Sequence, residues 1–497
     1  MMKKFTALAL AACMTASLTS GVWADEEKTD LVIAVDADVD TLHPSDYSTT
    51  VELNILNQIY DTLMYMNPDG THEPEPRIAE SYEVSEDGLE YTFHLREDAT
   101  FHDGTPITAD DVVFSLNLYL ESEYQNTQVT GLSEAEAVDD YTVVCHLDTP
   151  YAPFMLGVCT AHIASKDYYE ASEEDFVSKP IGSGAYQFVD RNTGSSIVLE
   201  AYDEYYRGEA AIENVTFEVI PDQSTMAIAL QTGDINFAEI DSASLIQLES
   251  DPSISVAKVS TSSFAYVTMN TEQAPFDDVK VRQAVNYAID RENIVFVCFE
   301  GEATANSNLC STDRFGYSEE QPVYDYNPEK AKELLAEAGI TTPYDLGEIL
   351  VAEKYSNLAA VIQNDLKQVG LETTISVKEF NAYIEDLTSG NYALSALNMT
   401  LEGDTQMMEM AFTTDYIGTA NNARYSDEEM DELFNQTRIT ADKEERAKLF
   451  DQIFTKAQEE AIYAPLCNPL ILFAYNADLK CPEIAYEGSY FLYDFEW

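Results

Sequence analysis

The chain has 497 residues, 45% of them hydrophobic, which is enough for two or three domains with sizeable cores. Its 90 Asp+Glu against 26 Lys+Arg give a formal charge of −64, which argues against nucleic acid and anionic lipid as partners. A solvated surface accounts for this charge most simply; salt adaptation and a cationic ligand are two other sources, and total charge does not separate them.

The first 24 residues read as an export signal. Lys3 and Lys4 precede the apolar run 5–12, and small residues follow. Val22-Trp23-Ala24 before Asp25 resembles an ordinary processing site. Leu10-Ala11-Ala12-Cys13 resembles a lipobox, which would leave Cys13 lipidated at a membrane. Cleavage after Ala24 is the preferred reading, because Cys13 comes early in the apolar run. No other stretch is long and apolar enough to span a bilayer.

Residues 31–35 are a buried-strand candidate. Residues 52–65 suit a helix with Ile55, Ile59 and Leu63 inward. Tyr91, Phe93 and Leu95 alternate with polar residues, the period of a half-buried strand. Asp103-Gly104 turns the chain. Thr108 then caps a helix, with Asp111 completing a capping box and Val112, Val113, Leu116 and Leu120 as the apolar stripe. Strands follow at 141–147 and 196–202, and a helix at 221–232 ends at Gly233.

After Asn270 helices and strands alternate. Residues 279–297 read as one helix. Asn327-Pro328 opens another, with Ala331, Leu334, Leu335 and Ala338 inward and Gly339 at its end. A helix at 358–369 stops at Gly370 before a strand at 371–377. Ser426 and Glu429 form a capping box, residues 441–460 suit a long amphipathic helix, and 470–475 returns to strand.

Six cysteines remain after the leader. Cys145 and Cys159, Cys298 and Cys310, and Cys467 and Cys481 form three pairs close in sequence. Three local disulfides and six buried thiols are equally open readings. Enzyme motifs are missing: there is no G-x-S-x-G, no H-E-x-x-H and no Walker A loop. All six histidines lie at or before His162.

Residues 80–115, ESYEVSEDGLEYTFHLREDATFHDGTPITADDVVFS, resemble the signature region of the extracytoplasmic solute-binding proteins of ABC importers, in the dipeptide, oligopeptide and nickel class (family 5). PIGSGAY at 180–186, YYRG at 205–208, QTGDI at 231–235 and PFDDVKVRQAVNYAIDR at 275–291 match in the family's order. The resemblance implies an α/β, two-lobed periplasmic-binding-protein-like fold, with an extra subdomain in the first lobe and a hinge of two crossings. Lobe I would comprise residues 25–270 plus 468–497, with the subdomain at about 60–180. Lobe II would be residues 271–467. The hinge would lie at 270–274 and 465–469.

It further implies a monomeric receptor, not an enzyme, that needs no cofactor. Such a receptor would close on a peptide or another small solute in the periplasm or on the outer face of the cytoplasmic membrane, and hand it to an ABC permease. Candidate ligand contacts are His43, Tyr47, Tyr186, Phe264 and Tyr266, together with the second-lobe segment 397–405. There Asn398 and Met399 would touch the ligand, and Glu402 or Asp404 would supply a carboxylate for a peptide amine. Met399 stands where relatives often carry Trp, and Thr405 where they often carry Pro. Relatives that bind metal use a second-lobe histidine, and this lobe has none. An oligosaccharide receptor, a sensory binding module and a secreted hydrolase are the alternatives.

Overall fold

The computed structural model describes residues 28–66, 74–310, 312, 314–401, 404–481, 484 and 488–497. The export signal, Cys13 and Glu402 lie outside the described residues.

Two large sheets organise two lobes. The first has seven strands, in the order Ile254–Val259, Ile471–Asn476, Phe237–Ile240, Asp30–Val35, Asn214–Val219, Ser196–Ala201, Tyr186–Asn192. The second has six, in the order Ala303–Ala305, Tyr463–Pro469, Ser263–Met269, Leu394–Thr400, Tyr344–Ala352, Leu371–Lys378. Each sheet buries apolar residues on both faces, which explains the near-continuous hydrophobic runs in its central strands. A four-stranded sheet from the region 79–147 builds a separate core with the helix Ala109–Glu121.

The signature region folds as its residues dictate. Tyr91, Phe93 and Leu95 are buried in the strand Glu90–Leu95. At the helix start, Asp111 accepts from the Thr108 amide at 2.9 Å and the Thr108 hydroxyl at 2.8 Å. In the PIGSGAY run a Cβ on Gly182 would stand 1.9 Å from the Ile59 carbonyl oxygen, so close backbone approach requires glycine there. The 275–291 motif is a brace. Asn286 Nδ2 donates to the Tyr463 carbonyl at 3.0 Å, and Arg291 Nε donates to that of Pro465 at 2.7 Å. Both clamp a central strand of the second sheet.

Several elements differ from the sequence reading. The first long helix is Thr50–Ile59, capped by Thr49 with Glu52, and the chain turns extended at Tyr60. The stretch 279–297 is two helices, Val279–Ala288 and Arg291–Cys298. Asp290 caps the second by accepting from the Asn293 amide at 3.1 Å, while its own amide donates to Asp365 at 3.0 Å. The helix expected after Ser426 is capped by Asp427 and runs Glu428–Ile439. The strand Tyr463–Pro469 was hidden by its two prolines. Pro465 is tolerated because the ladder shifts register at Ala265/Tyr266, leaving it no amide to supply.

The local disulfides are not formed; Cys145, Cys159, Cys298, Cys310, Cys467 and Cys481 carry thiols. Cys298 and Cys467 pack in one core of the second lobe, Cys310 in another, and Cys481 in the first lobe, so two of the three pairings would have to join separate cores. Burial pushes the Cys145, Cys159 and Cys467 thiols up to about 12, which leaves them unreactive.

Candidate functional site

The two large sheets meet where the chain passes between them. Residues 260–262 link Ile254–Val259 to Ser263–Met269, and Leu470 links Tyr463–Pro469 to Ile471–Asn476. The first crossing therefore precedes the expected 270–274. Asn270 closes a strand lying wholly within the second sheet, with its Nδ2 donating to the carbonyls of Gly390 and Tyr392 at 3.1 and 3.0 Å.

A polar set crowds this hinge. The Thr261 hydroxyl donates to the Pro469 carbonyl at 3.0 Å, tying the two crossings together. Asn468 Nδ2 donates to the Ser263 carbonyl at 3.0 Å and Asn398 Nδ2 to the Ser263 hydroxyl at 2.6 Å. Antiparallel pairing creates the cluster, because Ser263 lies opposite Thr400 and brings Asn398 within reach. The other amide atom of Asn398, Oδ1, is buried and has no partner among the described residues. A buried acceptor left without a donor costs roughly 1–3 kcal/mol, which an incoming N–H would recover.

The lobes also touch away from the hinge. The Ala152 amide donates to the Arg438 carbonyl at 2.7 Å. Next to it, Tyr151 is pushed up to about 12, first by burial and then by the carboxylates of Asp404 and Glu409 in the second lobe. The segment around Asp404 thus faces the first lobe.

The candidate aromatics pack in the lobe cores. Tyr186 and Tyr47 belong to the first-lobe core, and Tyr186 donates to the Leu492 carbonyl at 3.3 Å. Phe264 and Tyr266 pack at a tilt, ring centroids 5.3 Å apart, in a second-lobe core. Tyr266 is 1% exposed, and its hydroxyl accepts from Asn422 at 2.9 Å. His43 is half-buried, edge-on to Phe176 at 5.5 Å and 3.5 Å from Asp46; burial lowers its pKa. Met399 is half-buried against the Tyr266 core.

Asp404 lies at the expected place but is already engaged. It accepts from both terminal nitrogens of Arg446, one at 3.0 Å, and from the Gln406 amide at 2.7 Å. Ser263, Asn468 and Tyr151 were not among the candidates read from the sequence.

Residues 73–419 match the bacterial extracellular solute-binding proteins, family 5 Middle. Heme-binding protein A of Haemophilus influenzae is 32% identical over 451 residues, 83% of this chain and 82% of that protein. The dipeptide-binding protein of Escherichia coli is 30% identical over 431 residues, 79% and 80% of the two chains. Among solved structures, HbpA2 from Haemophilus parasuis overlays with a TM-score of 0.88 at 28% identity, covering 94% of this chain and 99% of that one. DppA from Helicobacter pylori in complex with the peptide STSA overlays at 0.70 and 27% identity, covering 91% and 95%. Fold and hinge together define a two-lobed solute-binding receptor. The chain belongs to the bacterial extracellular solute-binding proteins, family 5, an extracytoplasmic family.

Proposed function

We propose that this protein captures a peptide between its two lobes and delivers it to an ABC permease. The observation that carries this reading is the orphan Asn398 Oδ1 beside the hinge, an acceptor suited to a peptide N–H. Relatives named for dipeptide and oligopeptide binding support the ligand class. At nearly equal identity the overlay is 0.88 with HbpA2 but 0.70 with a peptide complex, the difference expected if lobes rotate on binding. Capture and release then require no chemistry, only a closed form stabilised by ligand. The leader is cleaved after Ala24, leaving the receptor without a lipid on Cys13; the intact mass of the secreted protein tests this.

Isothermal titration with di- to pentapeptide pools tests the ligand class, with neutral oligosaccharides and haemin as competing arms. Heat with a peptide pool supports the reading. Heat with sugar or haemin alone sinks it.

A further inference from the structure

The lobes are joined at two places. At one the chain itself crosses, and Lys258 of the first lobe adds an ion pair to Glu302 of the second at 2.6 Å. Lys258 lies in the strand Ile254–Val259, which is one edge of the first sheet. The other edge is Tyr186–Asn192, and the subdomain is inserted between the helix Thr50–Ile59 and that strand. Seven strands at a spacing of about 4.8 Å set the two edges about 29 Å apart. The subdomain loop 148–153 makes the second junction, where the Ala152 amide meets the Arg438 carbonyl at 2.7 Å.

This second junction is prepared on both sides. Arg438 lies in the last turn of the helix Glu428–Ile439, where carbonyls run out of amides of their own helix, and Ala152 supplies one. Tyr151, beside it, is half-buried among Asp404, Glu409, Arg446 and Arg438. Those four form two ion pairs within the second lobe, Arg446 with Asp404 and Arg438 Nη2 with Glu409 at 2.7 Å. The socket for the loop is therefore built by the second lobe alone. Residues 97–165 hold twelve acids and no Lys or Arg, so the two arginines offer the subdomain the cations it lacks. The contact itself is one main-chain hydrogen bond, which shifts an equilibrium by about tenfold at most. That is too little to lock the lobes together or apart, and enough to guide how they turn. The contact is made in a structure that overlays at a TM-score of only 0.70 on peptide complexes of 27% and 25% identity.

We propose that the loop 148–153 is the far pivot of the lobe rotation, a bearing that stays seated on Arg438 while the lobes turn about it and about the crossings at 260–262 and 470. Two crossing strands at one edge leave the lobes free to twist as well as to close. A second bearing at the opposite flank removes the twist and leaves closure about the line that joins the two. The extra subdomain thereby directs the motion without touching the solute. This rests on the reading of the protein as a closing receptor, and holds for whichever solute it closes on.

The test ties the two sides of the contact together. Ala152→Cys and Arg438→Cys are joined by a short bifunctional maleimide in the full chain, with the half-buried Cys298 and Cys481 replaced by serine. The cross-linked protein is titrated with di- to pentapeptide pools, neutral oligosaccharides and haemin. A pivot keeps affinity within about threefold of the protein before cross-linking. A change of about tenfold or more in either direction overturns the proposal, because a contact that forms or breaks on closure cannot be tied without cost. Loosening the seat with the double variant Tyr151→Ala, Ala152→Pro should weaken every peptide that binds by one common factor, about three- to tenfold. It should also raise the radius of gyration of the empty protein in small-angle scattering. A loss confined to some peptides would make Tyr151 a ligand contact, and an unchanged scattering profile would make the junction inert; either overturns the proposal. If the cysteine variant does not fold, the loosened variant decides alone. If sugar or haemin alone binds, the peptide reading falls and the cross-link comparison on that solute still decides the pivot. If no probe binds, scattering from the empty proteins decides it.

Discussion

Asp404 and Arg446 form a two-armed ion pair on the face of the second lobe that looks toward the first, with side chains only 17% and 9% exposed. The acid suggested by the sequence as a partner for a ligand amine is therefore committed within its own lobe. Asp404→Ala leaves a buried guanidinium without its carboxylate and should destabilise the protein by about 3–5 kcal/mol. Denaturant melts measure that loss. Titration with free-amine and N-acetylated peptides should show no change in their relative affinity; a selective loss on the free amine would return Asp404 to the ligand.

His102 predicts a pH dependence. The Gly182 amide donates to its Nδ1 at 3.1 Å, so Nε2 carries the proton that reaches the Gly184 carbonyl at 3.0 Å. Burial pulls the ring down to about 4 from 6.5, and it stays neutral in the fold. A base depressed in the folded state contributes stability above its unfolded pKa and loses it as pH falls through the window 6.5 to 4. The loss should amount to about 1–3 kcal/mol. Melting curves of wild type and His102→Gln across that window measure it, with the variant giving the shallower slope.

Asp365 carries the opposite sign. Burial and the neighbouring Asp290 push it up to about 6, although it accepts the Asp290 amide at 3.0 Å. An acid raised in the folded state stabilises most below its unfolded pKa, and that contribution fades as pH rises through about 6. Asp365→Asn keeps an acceptor for the Asp290 amide and removes the charge. Its melting temperature should exceed the wild type's at pH 8 by the equivalent of about 1–2 kcal/mol, and match it near pH 4. A lower melting temperature at pH 8 would show that the carboxylate's hydrogen bonds outweigh its burial.

Gly182→Ala tests the close approach at Ile59. The new Cβ would fall 1.9 Å from a carbonyl oxygen and 2.9 Å from Ile59 Cγ2, so backbone must move. The cost should reach about 3 kcal/mol. A variant that melts like wild type would place the contact elsewhere.

What could be read from sequence was what is local. The Thr108–Asp111 box and the Tyr91, Phe93, Leu95 face depend on residues a few positions apart, and both formed as read. The break at Asp290 was missed because Ile294 and Val295 continue the apolar rhythm across a new cap. The hinge was misplaced because Ser263–Met269 reads as strand whichever sheet receives it; only pairing with Leu394–Thr400 and Tyr463–Pro469 assigns it to the second lobe. The aromatic candidates went to the cores because a tyrosine that packs and one that meets a ligand have the same local sequence.

Asn398 allows the last separation of ligand from scaffold. Its Nδ2 donates to Ser263, and its Oδ1 is the orphan acceptor. Asn398→Ala removes both. Asn398→Asp keeps the Oδ1 acceptor but replaces the donating Nδ2 with an oxygen, so it loses the donation to Ser263 and adds a charge. If Oδ1 serves a ligand N–H, alanine should weaken peptide binding by about five- to tenfold, the value of one neutral hydrogen bond, while leaving the melting temperature of the empty protein nearly unchanged. A fall in melting temperature with unaltered affinity would make Asn398 a hinge strut through Ser263. The two effects divide cleanly because the struts Asn468–Ser263 and Thr261–Pro469 survive the substitution and continue to hold the crossings.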